Sequence, residues 1–203
     1  MPLISVVVLK PWLSVLSNRK SPVKKTFLYQ ERDEVKRQAY LSEYNELDAS
    51  KIVYVDESGV EEQSQRQHAR SLRGKPVFAE KKGKRCRRAN IIAGLLNHQL
   101  IAPCVFNGYV NADCFNYWLE HHLLKELPQG QVIIIDNASF HKSAKTRELI
   151  EKAQCRLVFL PPYSPDLNPI ENVWAIIKAR LKKIGKQFDN FNHALNHVLS
   201  VYL

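Results

Sequence analysis

The run "QVIIID", residues 131–136, does most to limit what this chain can fold into. Val132, Ile133, Ile134 and Ile135 are all β-branched, and no polar residue alternates with them. That pattern predicts a short strand buried on both faces, not one with a side in water. A second β-rich run, "KIVYVDES" at 51–58, reads as a strand ending at Asp56. "KPVFAE" (75–80), "ANIIAGLL" (89–96) and "LIAPCVF" (100–106) are further strand segments, the last returning on the one before it.

Helical spacing appears elsewhere. Residues 31–47 carry a loose apolar stripe at Val35, Tyr40, Tyr44 and Leu47. Residues 112–127 place Phe115, Trp118, Leu119 and Leu123 on one face. Residues 143–153 read as a helix, 155–160 as a strand, and a last helix starts near Pro169 and runs past Lys182. Strands first, then alternating helix and strand, predict an α/β fold with helices packed on a mixed sheet. Residues 1–25 read as an N-terminal extension or remnant, leaving 26–203 as the main domain.

Composition narrows the function classes. With 203 residues, 45% apolar and 25% charged, the chain is sized for one globular core. Thirty basic residues against twenty acidic give a net charge of +10. That excess favours a polyanionic partner such as nucleic acid as much as it does a merely soluble basic protein. Cys86, Cys104, Cys114 and Cys155 form no CxxC pair, which argues against a zinc ribbon and fits reduced thiols. The apolar start "MPLISVVVLKPWLSVL" is broken by Lys10 and Pro11 and fits neither a signal peptide nor a membrane span. The expectation is an intracellular protein with no membrane partner.

Two buried-type strands are each read as ending in an acid, Asp56 and Asp136. Ligands of open α/β sheets sit beyond the carboxyl ends of strands. If the two strands are parallel neighbours, the carboxylates converge, and they then repel unless a proton or cation lies between them. Mg²⁺ is the simplest such cation, since it takes oxygen ligands and keeps room for water and phosphate. A third acid, Glu171, opens the last helix. "NPIE" reads as a capping box, with Asn168 at N-cap, Pro169 at N1 and Glu171 at N3. Asp166, in the same loop, reads as a cap or turn residue.

The segments "YVDESG", "IIIDNASFHKS" and "LPPYSPDLNPIENVW" together resemble the DDE transposases of the IS630 group, in the Tc1/mariner superfamily. The resemblance spans roughly residues 24–190. The acids of that family are Asp, Asp and Glu, with 34 residues between the last two; 34 lie between Asp136 and Glu171 here. The resemblance implies a ribonuclease H-like fold, with Asp56, Asp136 and Glu171 as catalytic residues and as ligands of two Mg²⁺ (or Mn²⁺) ions. Asp56 is then the bridging ligand, with Asp136 and Glu171 on either side. It also implies cleavage and strand transfer at insertion-sequence ends, a homo-oligomer on DNA, a TA target preference, and a cytoplasmic site of action at the bacterial nucleoid. Such transposases carry an N-terminal helix-turn-helix region, and the 55 residues before Asp56 are too few for it plus the helix at 31–47. The expectation is a catalytic domain paired with a separately encoded helix-turn-helix half. The alternative is a catalytically inactive DNA-binding remnant.

Neighbouring residues carry plainer readings. Glu57 alternates to the face opposite Asp56 and is not expected to be a ligand. Asn137 and His141 could position DNA or water, but a turn-stabilising Asn and a satisfied polar His are favoured. His193 and His197, four apart, read as a solvated helix face. The run 81–88, "KKGKRCRR", holds six positive charges, and Lys178, Arg180, Lys182, Lys183 and Lys186 follow Glu171. These charges are expected to flank the cleft and track phosphates.

Overall fold

Val132, Ile133, Ile134 and Ile135 form strand β4 (Val132–Ile135) and are 8, 0, 0 and 0% exposed, buried on both faces as their sequence requires. The computed structural model describes residues 29–62, 75, 78 and 87–202. Strands β1 (Ile52–Glu61), β2 (Arg88–Leu96), β3 (Gln99–Phe106) and β5 (Arg156–Phe159) join β4 in one sheet of order β3-β2-β1-β4-β5. β1 pairs antiparallel with β2, and β2 with β3; β4 runs parallel to β1 on one side and to β5 on the other. The sheet is mixed, as expected.

Side chains alternate across each strand, so the two faces collect different partners. On one face, Ile52, Ile134 and Val158 pack with Tyr40 of helix α1 (Glu34–Asn45). Further along that face, Ile91, Ala93 and Leu95 meet Ile170, Trp174 and Ile177 of helix α5 (Ile170–Ile184) and Leu195 and Val198 of helix α6 (Phe191–Leu199). On the other face, Val53, Val55, Ile133 and Ile135 pack with Phe115 and Trp118 of helix α2 (Ala112–Trp118). Helix α2 continues through a π-helical turn (Leu119–Leu123), which buries Leu119 and Leu123, into helix α3 (Leu124–Glu126). Helix α4 (Ala144–Lys152) adds Leu149 and Ile150, and Ser143 caps it by accepting from the Thr146 N–H.

Three expectations change. β1 does not end at Asp56; it runs on to Glu61 because its hairpin with β2 continues to the pair Glu61↔Arg88. What stops is its parallel neighbour, whose last pair with β1 is Tyr54↔Ile134. Helix α1 is shorter than 31–47, and Val35 drops out of its stripe at 81% exposed; Tyr40 is buried, and Tyr44 and, beyond the helix end, Leu47 pack partly buried on the same core. The segment 170–199 holds two packed helices, and His193 and His197 lie on the exposed side of the second. The extension 1–25, the boundary at 26, and residues 81–86 of the basic run lie outside the described residues; of the strand expected at 75–80 only Lys75 and Phe78 are described. No described helix is long and apolar enough to cross a membrane.

Ile134 tests the core. Its replacement by Ala leaves a cavity between α1 and the sheet and should cost about 2–5 kcal/mol of unfolding free energy in urea titrations. A loss under about 0.5 kcal/mol would contradict a β4 buried on both faces.

Candidate active site

The end of the β1–β4 pairing positions the first two acids. Asp56 and Asp136 each stand two residues beyond the last parallel pair, Tyr54↔Ile134, so the register sets them level on neighbouring strands. They line one open cleft of about 550 Å³, and Glu171 lines it from the first turn of α5.

Asp56 points to the α5 face. It is 9% exposed, and its Oδ2 accepts a hydrogen bond of 2.9 Å from the indole Nε1–H of buried Trp174. Burial pushes its carboxyl up to about 7, and the negative charges of Glu171 and Glu57 add to the rise; the Trp174 bond opposes it. Both charged neighbours acting on Asp56 are thus negative. A buried carboxyl in that setting holds a proton near neutrality or needs a cation.

Asp136 is handled differently. Burial alone would raise its pKa, but hydrogen bonds from His141 and the Ala138 N–H, with the charges of His141 and Lys142, hold it below the usual carboxylate range. Its Oδ1 accepts from the Ala138 N–H at 2.9 Å and from His141 Nδ1 at 2.6 Å. A 3₁₀ turn (Ser139–Lys142) brings His141 back under the strand end. The other ring nitrogen, Nε2, donates to Glu57 Oε1 at 3.0 Å. His141 is 0% exposed, and its ring packs 4.3 Å from that of Phe115 and 4.1 Å from that of Phe140. Burial would lower its pKa; the bonds to Asp136 and Glu57 outweigh it and raise it to about 9. His141 is therefore an imidazolium clamped between two carboxylates. It is a satisfied polar His, as the sequence implied, but its partner is a candidate ligand. Glu57 does face away from Asp56 and serves as the outer anchor of this clamp.

The loop before α5 corrects the capping-box expectation. The Asn168 N–H bonds to the Pro165 carbonyl, and no side chain caps α5. Asn168 is 4% exposed, and its Oδ1 has no hydrogen-bond partner among the described residues. Helix α5 starts at Ile170, so Glu171 sits in its first turn, exposed and facing the cleft. Asp166 lies in a 3₁₀ turn (Pro165–Leu167), as expected of a turn residue, but its side chain caps nothing there: it takes both ends of the Arg37 guanidinium, at 3.1 and 2.8 Å, and ties the loop to α1. Asn137 lines the cleft, while the turn it was expected to stabilise is held by Asp136 itself.

The donor set is all carboxylate, which suits a hard divalent cation. No group of three His, Cys, Asp or Glu among the described residues is arranged to hold a metal as it stands. The basic residues of α5 lie elsewhere than expected. None of Lys178, Arg180, Lys182 and Lys183 lines the carboxylate cleft. Lys178 and Lys182 line a second depression of about 440 Å³ with Arg88, and Arg180 covers the Tyr202 ring at 5.0 Å. Lys178 is two turns beyond Glu171, roughly 10 Å along the axis.

A β3-β2-β1-β4-β5 sheet with helices on both faces, and acids where the parallel pairing ends, defines a ribonuclease H-like domain. The chain belongs to the DDE superfamily endonucleases, whose family profile matches residues 51–193. It is 40% identical over 60 residues to the transposable element Tc3 transposase of Caenorhabditis elegans, covering 30% of this chain and 17% of that protein. It is 38% identical over 61 residues to the uncharacterized protein y4pE/y4sA of Sinorhizobium fredii, covering 29% of this chain and 43% of that one. Its fold is shared with a pre-cleavage Mos1 transpososome (TM-score 0.70, 18% identity, 90% of this chain and 59% of that chain). A Mos1 mariner paired-end complex with Mn gives TM-score 0.70 and 18% identity over 88% of this chain and 58% of that one. The catalytic domain of Mos1 mariner transposase gives TM-score 0.59 and 17% identity over 87% and 83%. The Tc1/mariner DDE affinity and the ribonuclease H-like fold expected from the sequence are borne out. The chain spans less than half the length of these curated relatives.

The site's charges predict a pH dependence. With divalent ions chelated, folded Asp56 keeps its proton up to about 7 against an ordinary 3.8, and His141 up to about 9 against 6.5. The folded state binds more protons in both windows, so stability falls as pH rises. The His141 contribution is complete below 6.5 and lost through about 9. His141→Gln should flatten the alkaline part of the stability–pH curve. Asp56→Asn should flatten the acid part and raise metal-free stability at pH 8. Urea unfolding across pH measures both, and slopes unchanged in both variants would refute this electrostatic account.

Proposed function

We propose that this domain cuts and joins DNA strands by phosphoryl transfer, with Asp56, Asp136 and Glu171 together holding two divalent cations. One observation carries the reading: three carboxylates from three separate elements line one cleft, and the most buried of them has only negative charged neighbours. The Mos1 paired-end complexes with Mn and with Mg, whose fold this chain shares, support magnesium or manganese here. Such ions, when bound, activate an attacking oxygen and stabilise a leaving one.

The chain's own groups divide the work of holding them. Trp174 fixes Asp56 through Oδ2, which leaves Oδ1 as the atom that would take a cation. The Ala138 N–H and His141 occupy Asp136 Oδ1, which leaves Oδ2. Glu171 is exposed and has rotamer freedom, so it is the member that adjusts as a cation enters. With two acids fixed and one exposed, the site would adapt to a cation through Glu171. Water attack on a phosphodiester at the element's end would break its P–O3′ bond, leaving a 5′-phosphate and freeing a 3′-hydroxyl; that hydroxyl would attack a target phosphodiester and displace the target strand's own 3′-oxygen as the leaving group. Both are in-line displacements, so one site serves both.

The same reading assigns the domain two DNA partners, the element's ends and the target. Mos1 forms paired-end complexes, which supports a pair of copies on DNA here. End recognition is assigned to a helix-turn-helix region or partner, and the place of action to chromosomal DNA, in a bacterium the nucleoid. Arg88, Lys178 and Lys182, which share their depression with Glu61 and Glu62, are the described cations assigned to a phosphate backbone.

Nicking of supercoiled DNA in Mg²⁺ or Mn²⁺ tests the core claim. Asp56→Asn, Asp136→Asn and Glu171→Gln should each lose more than the ~10–100-fold typical of residues that merely support a ligand. Equal nicking by wild type and all three variants would sink the metal reading and leave the inactive-remnant alternative. DNA affinity should also fall steeply with salt, and less steeply in Lys178→Ala/Lys182→Ala. A flat salt response would remove the phosphate-tracking role.

A further inference from the structure

Tyr29 and Tyr163 line the carboxylate cleft, and each is 56% exposed. Their ring centroids are 5.8 Å apart and the planes are tilted by 42°, so the pair is splayed and leaves ring faces open. Two large rings, in contact with each other and each half in water beside the carboxylates, offer a flat partner a surface to stack on.

Tyr163 is also held in an unfavourable backbone state. Its φ is +54°, in the left-handed region that a bulky residue rarely adopts. Such strain persists only where the surroundings over-determine it, and it clusters at ligand clamps. Here the surroundings do so. Pro161 and Pro162 precede the ring and Pro165 follows Ser164. The Ser164 Oγ–H donates to the Pro162 carbonyl at 3.1 Å, and the Leu167 N–H donates to the Ser164 carbonyl at 3.1 Å. The Arg37–Asp166 pair bolts the loop to α1. The result is a rigid, exposed, flat surface on the same loop that delivers Glu171.

Resting on the DNA-cutting reading of this cleft, we propose that the Tyr29–Tyr163 pair is a stacking platform for an unpaired nucleobase next to the scissile phosphate. A base has a π-face whatever its identity, so stacking tolerates any sequence. The platform would hold a frayed or flipped end nucleotide while the adjoining phosphodiester lies over the carboxylates. Its rigidity means that little ordering is needed when the base arrives.

A forked duplex tests this, with 2-aminopurine at the first unpaired position; a fully paired duplex carrying the same probe is the control. Both are titrated with the full chain, divalent ions chelated. Wild type and Tyr163→Phe should quench the fork's fluorescence. Tyr163→Gly removes the ring at a φ that glycine adopts freely, so its fold is not at risk. It should lose the quenching and bind the fork roughly tenfold more weakly, with paired-duplex binding unchanged. Absence of quenching by wild type, or equal fork binding by wild type and Tyr163→Gly, overturns the platform. Quenching with no metal-dependent nicking supports the platform and counts against the metal reading alone. Metal-dependent nicking with fork binding insensitive to Tyr163→Gly does the reverse.

Discussion

The parallel pairing of β1 with β4 is the constraint from which the site follows. Three pairs, Ile52↔Val132, Val53↔Ile133 and Tyr54↔Ile134, fix the relative height of the two strands. A slip of one residue would exchange the two faces of β4 and carry Asp136 out of level with Asp56. The observed register brings Asp56 and Asp136 level. β1 then continues alone into its hairpin with β2. Asp56 thus stands on a rigid strand where its neighbour has ended, which opens a cleft without loosening the acid beside it.

Bringing carboxylates together raises a charge problem, and the fold answers it on one side only. Asp136 is matched by His141, itself anchored by Glu57, so its negative charge is stabilised within the protein. Asp56 receives a neutral indole donor and two negative neighbours, so its charge is left wanting. The asymmetry is economical. The clamped acid is held in place with its charge matched, and the buried one is left without a compensating charge.

The third acid arrives by a different route. β4, α4 and β5 form a parallel crossover, and the chain leaves β5 through a proline-rich loop into α5. The 34-residue interval between Asp136 and Glu171 is the length of that path. Its last part is stiffened by prolines and tied down by Arg37–Asp166. Exposed ion pairs are worth little to stability in general. This one is bidentate and joins two elements whose separation sets where Glu171 sits.

The sequence by itself marked most of the elements and named three acids that the fold brings to one cleft. Continuous β-branched runs, helical spacing at Phe115–Leu123 and acids after buried strands are local patterns, and local patterns survive folding. It also ruled Glu57 off the Asp56 face by simple alternation. What it could not show are contacts between distant residues. His141 reaches Asp136 five residues back and Glu57 84 residues away; Trp174 reaches Asp56 across 118, and Arg37 reaches Asp166 across 129. The capping box failed in part for the same reason. "NPIE" is a sound local motif, but a 3₁₀ turn just before it took the Asn168 N–H for Pro165, and tertiary packing buried Asn168 and turned Glu171 to the cleft. Only the folded sheet decided which carboxylate would be neutralised and which left exposed to negative charge, because that depends on which faces meet, and no periodicity encodes it.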